Sequence, residues 1–242
     1  MAKPSLTPIN ERWQLARLPS THEAHLFAAQ HFISCANRAI KERGLFTVAL
    51  SGGSTPKAIY QLLATPDFHG KVDWNRVLLF WSDERAVPPD HPDSNYRMAM
   101  EAGLGKLPLL PEHIFRMHAD TDLEVNAAAY DHLIQEKAGG QFDLMMLGMG
   151  EDGHTASLFP DTEALKVTTW SVVANYIPKF DAYRMTVTFP CINASRNIAL
   201  YVLGESKRPM LTEILRGPEN RYPVQRVGTP HHPALWITDL KI

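Results

Sequence analysis

The stretch "MMLGMGEDGHTASLFP", residues 145–160, runs from an apolar segment through two glycines into Glu151, Asp152, Gly153, His154 and Thr155. Histidine is the side chain best suited to moving protons near neutral pH, and an adjacent carboxylate fixes its tautomer and raises its basicity. Gly148, Gly150 and Gly153 permit a strained turn in which backbone comes close to a ligand. The plain alternative is a turn whose histidine caps the helix that follows. No GxSxG elbow occurs in the chain, so a catalytic histidine here would activate water rather than a protein nucleophile.

Three further polar clusters have chemical potential. "SGGSTP", residues 51–56, combines Gly52 and Gly53 with the hydroxyls of Ser51, Ser54 and Thr55. Pro56 suits a first helical turn, with Thr55 or Ser54 as N-cap, and free backbone N–H groups at such a helix start can hold phosphate. A tight strand-to-helix turn without ligand reads equally well from these residues, and the spacing of Lys57 rules out a Walker A loop. "SDER" sets Asp83, Glu84 and Arg85 in sequence, a pattern that a structural ion pair would also give. In "GESK", Lys207 follows Ser206, a predicted N-cap; a cation there opposes the helix dipole unless an anion is bound. Arg184, opening "RMTVTF", is a second cationic candidate, or a solvated strand-end residue. "DHPDSN" reads as a turn with Asp93 or Ser94 capping a helix.

The elements between these clusters position them. Ser20-x-x-Glu23 is a capping box, apolar residues from Leu26 to Ile40 recur at spacings of three and four, and Gly44 ends that helix. Apolar runs at 46–50, 76–81 and 142–147 read as buried strands, with shorter ones predicted at 114–117, "SVVAN", "RMTVTF", "NIALYVLG" and "ALWIT". Helices are predicted at "PKAIYQLLA", "YRMAMEAG", Thr121 to about Gly139 with Thr121-x-x-Glu124 as cap, and Ser206 to Leu215. Continuously apolar strands alternating with helices predict an α/β fold: a three-layer sandwich around a mostly parallel, modified Rossmann-like sheet. Ligands in such sheets bind at the carboxyl ends of the strands, so "SGGSTP", "SDER", "GMGEDGH" and "GESK" should share one crevice.

Composition narrows the partners. The 242 residues, 45% of them hydrophobic, predict a single domain spanning 1–242, with the polar, proline-dotted residues 1–19 loosely ordered. A formal charge of -2 predicts no nucleic-acid partner and no membrane surface, and no segment has the order of a signal peptide or the length of a membrane span. Cys35 and Cys191 read as reduced packing residues of a cytoplasmic protein. Eleven histidines include no HExxH pattern, so neither metal nor cofactor is predicted. Monomer and homodimer both remain open.

Taken together and in this order, "LSGGSTP", "WSDERAVP", "HPDSNYRM", "LGMGEDGHTASLFP" and "GESKR" resemble the 6-phosphogluconolactonases, relatives of the glucosamine-6-phosphate isomerases and deaminases. The resemblance implies hydrolysis of 6-phospho-D-glucono-1,5-lactone, with this sugar-phosphate lactone as the small-molecule partner. It also implies roles: His154 as general base, Asp152 orienting it, and the 51–55 loop with Lys207 and Arg184 holding the phosphate. Arg85 would contact substrate or stabilise carbonyl charge, and Asp83 would orient other groups. An amino-sugar-phosphate isomerase or deaminase is the nearest alternative, but those relatives carry an acid in a stretch like "FNEP", where this chain has "SLFP" with Phe159. A non-catalytic sugar-phosphate sensor would need a basic DNA-binding segment, for which the residues before 20 leave no room.

Overall fold

The computed structural model describes residues 5–241. Its first elements are β1 (Leu6–Asn10) and β2 (Trp13–Arg17), an antiparallel pair where the sequence suggested loose order. The cause is non-local. Trp13 is buried, its indole Nε1 donates to the Val227 carbonyl at 2.8 Å, and its ring packs edge-on against Trp236 at 5.3 Å. Partners more than 200 positions away leave no periodic signal near residue 13.

Helix α1 (Thr21–Arg43) starts and stops where predicted: the Ser20 hydroxyl accepts from the Glu23 N–H, and Gly44 closes the helix with φ 85° and its N–H on the Ile40 carbonyl. Then follow β3 (Phe46–Leu50), α2 (Ser54–Leu63), a single turn α3 (Pro66–His69), β4 (Val77–Trp81) and β5 (Asp83–Arg85). The middle of the chain supplies α4 (Asn95–Glu101), α5 (Leu123–Ala138), β6 (Leu144–Gly148), β7 (Val172–Ile177) and β8 (Ala182–Val187). Last come α6 (Phe189–Ala194), β9 (Ile198–Tyr201), α7 (Arg208–Arg216) and β10 (Ala234–Thr238).

Seven strands form one sheet in the order β1-β2-β10-β9-β6-β3-β4, parallel throughout except for the β1–β2 pair. Every residue of β3, β4, β9 and β10 is buried, which requires cover on both faces and explains why these strands read as unbroken apolar runs. From β3 the chain moves to β4 through α2, then returns past β3 to β6; right-handed crossovers in opposite directions place α2 and α5 on opposite faces.

"SVVAN" and "RMTVTF" are strands, but they lie outside the main sheet. With β5 they make a separate antiparallel sheet, β5-β8-β7. Ser82 joins the two sheets: its N–H donates to the Leu50 carbonyl and its own carbonyl accepts from Val187. The strand expected at 114–117 is reduced to one bridge between Ile114 and Leu79 on the β4 edge, because only Phe115 donates there. The predicted Thr121 cap gives way to Asp122 at φ 39°, with no side-chain cap bond.

Trp13→Ala is expected to cost about 3–5 kcal/mol in urea denaturation; a loss below about 1 kcal/mol would mean the β2 strand contributes little to the fold.

Candidate active site

The four polar clusters lie at the carboxyl ends of four adjacent strands, β9, β6, β3 and β4. Chain direction across the sheet reverses between β3 and β6. Loops leaving neighbouring strands diverge at such a reversal, which in folds of this kind opens a crevice between the two loops, here residues 51–55 and 149–155.

At the end of β3, Gly53 sits at φ 102° and is itself the N-cap of α2, so the helix begins at Ser54. This corrects the expected Thr55 or Ser54 cap: a backbone that must turn at positive φ favours glycine. No side chain caps α2 and its first turn has no acid, which leaves N–H groups of the loop and first turn without an internal acceptor. Ser51 is buried and held by Tyr60, whose hydroxyl accepts from the Ser51 N–H (3.1 Å) and donates to its carbonyl (2.9 Å). A Cβ on Gly52 would overlap the Asn95 carboxamide, so only glycine fits against that side chain.

Beyond β4, Asp83 and Glu84 are both buried. Asp83 accepts from the Ser157 hydroxyl at 2.7 Å and the Asn95 amide at 3.2 Å; the same amide nitrogen reaches the Asp83 carbonyl at 2.9 Å. Glu84 accepts from the backbone N–H groups of Arg85, Asn95 and Tyr96 and from the Ser94 hydroxyl. Burial raises its carboxyl above the ordinary value, and the three backbone donors pull the other way. Ser94 is also the predicted cap of α4, accepting from Arg97. No ion pair with Arg85 forms: its guanidinium donates to the Asp93 carbonyl at 2.7 Å, and its buried Nε has no partner.

At the end of β6 the turn 149–155 brings Asp152 and His154 together, Oδ1 to Nδ1 at 2.5 Å. Lys179, in the β7–β8 connection, donates to the other Asp152 oxygen at 2.9 Å. Partial burial raises the Asp152 carboxyl, but hydrogen bonds from Lys179 and His154 outweigh it and hold the group at about 2. An ionised Asp152 makes Nδ1 the donor and leaves the lone pair on Nε2. Burial lowers the His154 imidazole below its ordinary 6.5, against the raising effect of Asp152 and, more weakly, Asp83. The ring is therefore neutral near pH 7. Phe159 stacks on it with centroids 3.8 Å apart, so an aromatic face occupies the position where an acid was sought. Gly150 is demanded by the same packing, because a Cβ there would run into the imidazole.

Arg184 and Arg85 are direct register partners across β8 and β5. Like charges opposite one another repel, and burial together with Arg85 lowers Arg184 below the ordinary arginine value. Arg184 also lies over the rings of Phe159 and Phe180, at 5.8 and 5.1 Å. Lys207 ends a short 3-10 turn, Glu205–Lys207, after β9, and is itself the N-cap of α7, with no side-chain cap bond. The expected Ser206 cap is thus displaced, since that residue lies inside the turn. Glu205 and Arg208 pair with each other at 2.6 Å, leaving Lys207 outside the pair.

Hydrogen bonds join Asp152 to His154, and Asp83 is tied through Ser157 to the segment just after that turn; Ser51 to Thr55 and Lys207 are gathered only by strand order. Asn95, Ser157, Tyr60, Glu84 and Lys179 were missed as contributors. Only Asn95 and Glu84 carried a signal, the polar cluster "SDER…DSN" placed directly after an apolar strand.

A mostly parallel α/β sheet with a neutral imidazole and an ionised carboxylate beside its switch point has the arrangement that α/β domains use to bind small molecules. The chain belongs to the family described as glucosamine-6-phosphate isomerases/6-phosphogluconolactonase, whose model matches residues 19–236. It is 42% identical over 229 residues to a 6-phosphogluconolactonase of Chlamydia pneumoniae, covering 91% of this chain and 87% of that protein. It is 41% identical over 210 residues to one of Nostoc sp., covering 83% and 85%. Among solved structures, a 6-phosphogluconolactonase from Thermotoga maritima superposes with TM-score 0.78 at 27% identity, covering 93% of this chain and 97% of that one. The Trypanosoma cruzi protein of that name gives 0.83 at 25%, covering 95% of each.

Gly150→Ala is expected to keep the far-UV circular dichroism spectrum while moving the NMR titration of His154 toward the ordinary 6.5, as the ring is pushed out of its buried place. An unmoved titration would show that the turn can relax around the added methyl.

Proposed function

We propose that this chain hydrolyses 6-phospho-D-glucono-1,5-lactone to 6-phospho-D-gluconate, the second step of the oxidative pentose phosphate pathway. The observation that carries the reading is the Asp152–His154 pair at the carboxyl end of β6, with Phe159 rather than an acid against the ring. Ring opening of an amino sugar calls for an acid working with the histidine. Hydrolysis of a lactone calls only for a base and a bound water.

In this mechanism Nε2 of His154 takes a proton from water as its oxygen adds to the lactone carbonyl carbon. Asp152 holds the ring's tautomer and offsets the positive charge that the ring acquires. The tetrahedral intermediate then collapses with loss of the ring oxygen, which recovers the proton from the imidazolium. Arg85, whose side chain is partly exposed, supplies a guanidinium donor for the carbonyl oxygen as charge grows on it. The N–H groups of residues 52–55, together with Arg184 and Lys207, take the phosphate, whose charge relieves the repulsion between the facing arginines. Asp83 holds the segment just after the histidine turn through Ser157. A δ-lactone is an activated ester, so orientation by a held phosphate and one proton transfer suffice without cofactor.

The chain acts as a single domain, a reading supported by one hydrophobic cluster that runs from Trp13 to Leu240 and takes in most of the buried apolar side chains among the described residues. Cys35 and Cys191, both free and buried, fit a reducing cytoplasm.

The test is a lactonase assay against a no-enzyme blank, since the substrate also opens spontaneously. His154→Ala is expected to lower kcat by about 10²-fold or more. Lys207→Ala and Arg184→Ala are expected mainly to raise KM. Because the base works in its neutral form and its titration lies below 6.5, kcat/KM should rise with pH through a midpoint below 6.5 and be level at neutrality. No acceleration over the blank by the native protein would direct the search to amino-sugar phosphates.

A further inference from the structure

The connection between β7 and β8, residues 178–181, overhangs the histidine turn. Lys179 bonds Asp152 from this tip, Phe180 packs edge-on against Phe159 at 5.6 Å, and Phe159 in turn stacks on His154. Arg184, on the strand leaving the same tip, lies over both phenylalanine rings. The tip therefore touches the imidazole's two supports, its carboxylate and its stacking ring. Phe180 is 48% exposed and the Lys179 side chain 58%. An exposed lysine usually stabilises little, so holding one against a half-buried carboxylate calls for another explanation.

We infer that Lys179 is a positioning residue of the reaction: clamping the outer oxygen of Asp152, it fixes the carboxylate that orients His154 and takes up part of that carboxylate's charge. The consequence is electrostatic. Asp152 alone would favour the imidazolium strongly; Asp152 paired with an ammonium favours it less, so the base stays free of its proton to lower pH. The other charged groups facing the ring are Asp83 from β5, which raises its basicity, and Arg184 from β8, which lowers it. Glu151, on the same turn, is exposed. Lys179 is the group acting from the solvent side, and it acts through Asp152.

The kinetic half of this inference rests on the lactonase reading; the titration half does not. Two variants, Lys179→Met and Lys179→Arg, are compared with the native protein, by NMR titration of the His154 ring and by the pH dependence of kcat/KM on the phosphorylated lactone. Lys179→Met is expected to move the His154 midpoint upward by about half a pH unit. The acid limb of the rate profile should move with it, so that the variant loses activity at mildly acid pH and keeps most of it on the alkaline plateau. Lys179→Arg should restore both midpoints. An unmoved midpoint in Lys179→Met overturns the inference, and so does an equal loss of rate at every pH, which would be the mark of a merely structural contact. If the native protein fails to accelerate lactone opening, the lactonase reading falls, and the ring titration still decides the role of Lys179.

Discussion

Two carboxylates buried side by side, Asp83 and Glu84, are the constraint around which the site is assembled. A carboxyl group out of water must be met by hydrogen-bond partners, and here those partners come from three separate stretches of chain. Glu84 collects the N–H groups that open α4. Asp83 collects the Asn95 amide from the same loop and the Ser157 hydroxyl from beyond the histidine turn. Asn95 in turn lies so close to Gly52 that the glycine loop is fitted against it. Satisfying two acids thus ties the ends of β3, β4 and β6 to one another. No ion pair is involved, which leaves the neighbouring arginine free for other work.

The imidazole is held by a balance rather than by one dominant interaction. Burial under Phe159 disfavours its charged form, while Asp152 favours it, and the outcome is a ring that is neutral at physiological pH yet prepared to become charged. Both sides of that balance meet in residues 178–181, a segment of the small antiparallel sheet rather than of the main one. The second sheet thus reaches the histidine turn: it sets Arg85 and Arg184 face to face and supplies the aromatic and cationic contacts against the supports of the ring. A sheet-end crevice alone would give a helix start for phosphate and a histidine, but not the arginine pair.

Much of this was legible because it is local. Strands buried on both faces are apolar at every position, and helix limits are marked by residues such as Ser20, Ser94 and Gly44 whose bonds span four positions or fewer. A histidine two residues from an aspartate on a glycine-rich turn has few ways to avoid it, and the two do bond. The rule that parallel sheets bind ligands at their carboxyl ends then singled out this end of the sheet from strand order alone. Where a local reading erred, as with the caps at Ser54 or Thr55 and at Ser206, the adjoining glycine or short 3-10 turn had shifted the helix start by one or two residues.

The strand and helix segments, the polar strand ends and the pairing of Asp152 with His154 could be read from the chain directly, because each rests on residues close together in sequence. What lies opposite each of them came only with folding. Trp13 became ordered only against Trp236 and Val227, and Ser157 reached Asp83 across 74 positions. Lys179 reached Asp152 across 27, and Arg85 met Arg184 only because β5 leaves the main sheet to pair with β8. Such contacts depend on which surfaces the folded chain brings together, and neither spacing nor periodicity along one strand or helix encodes that.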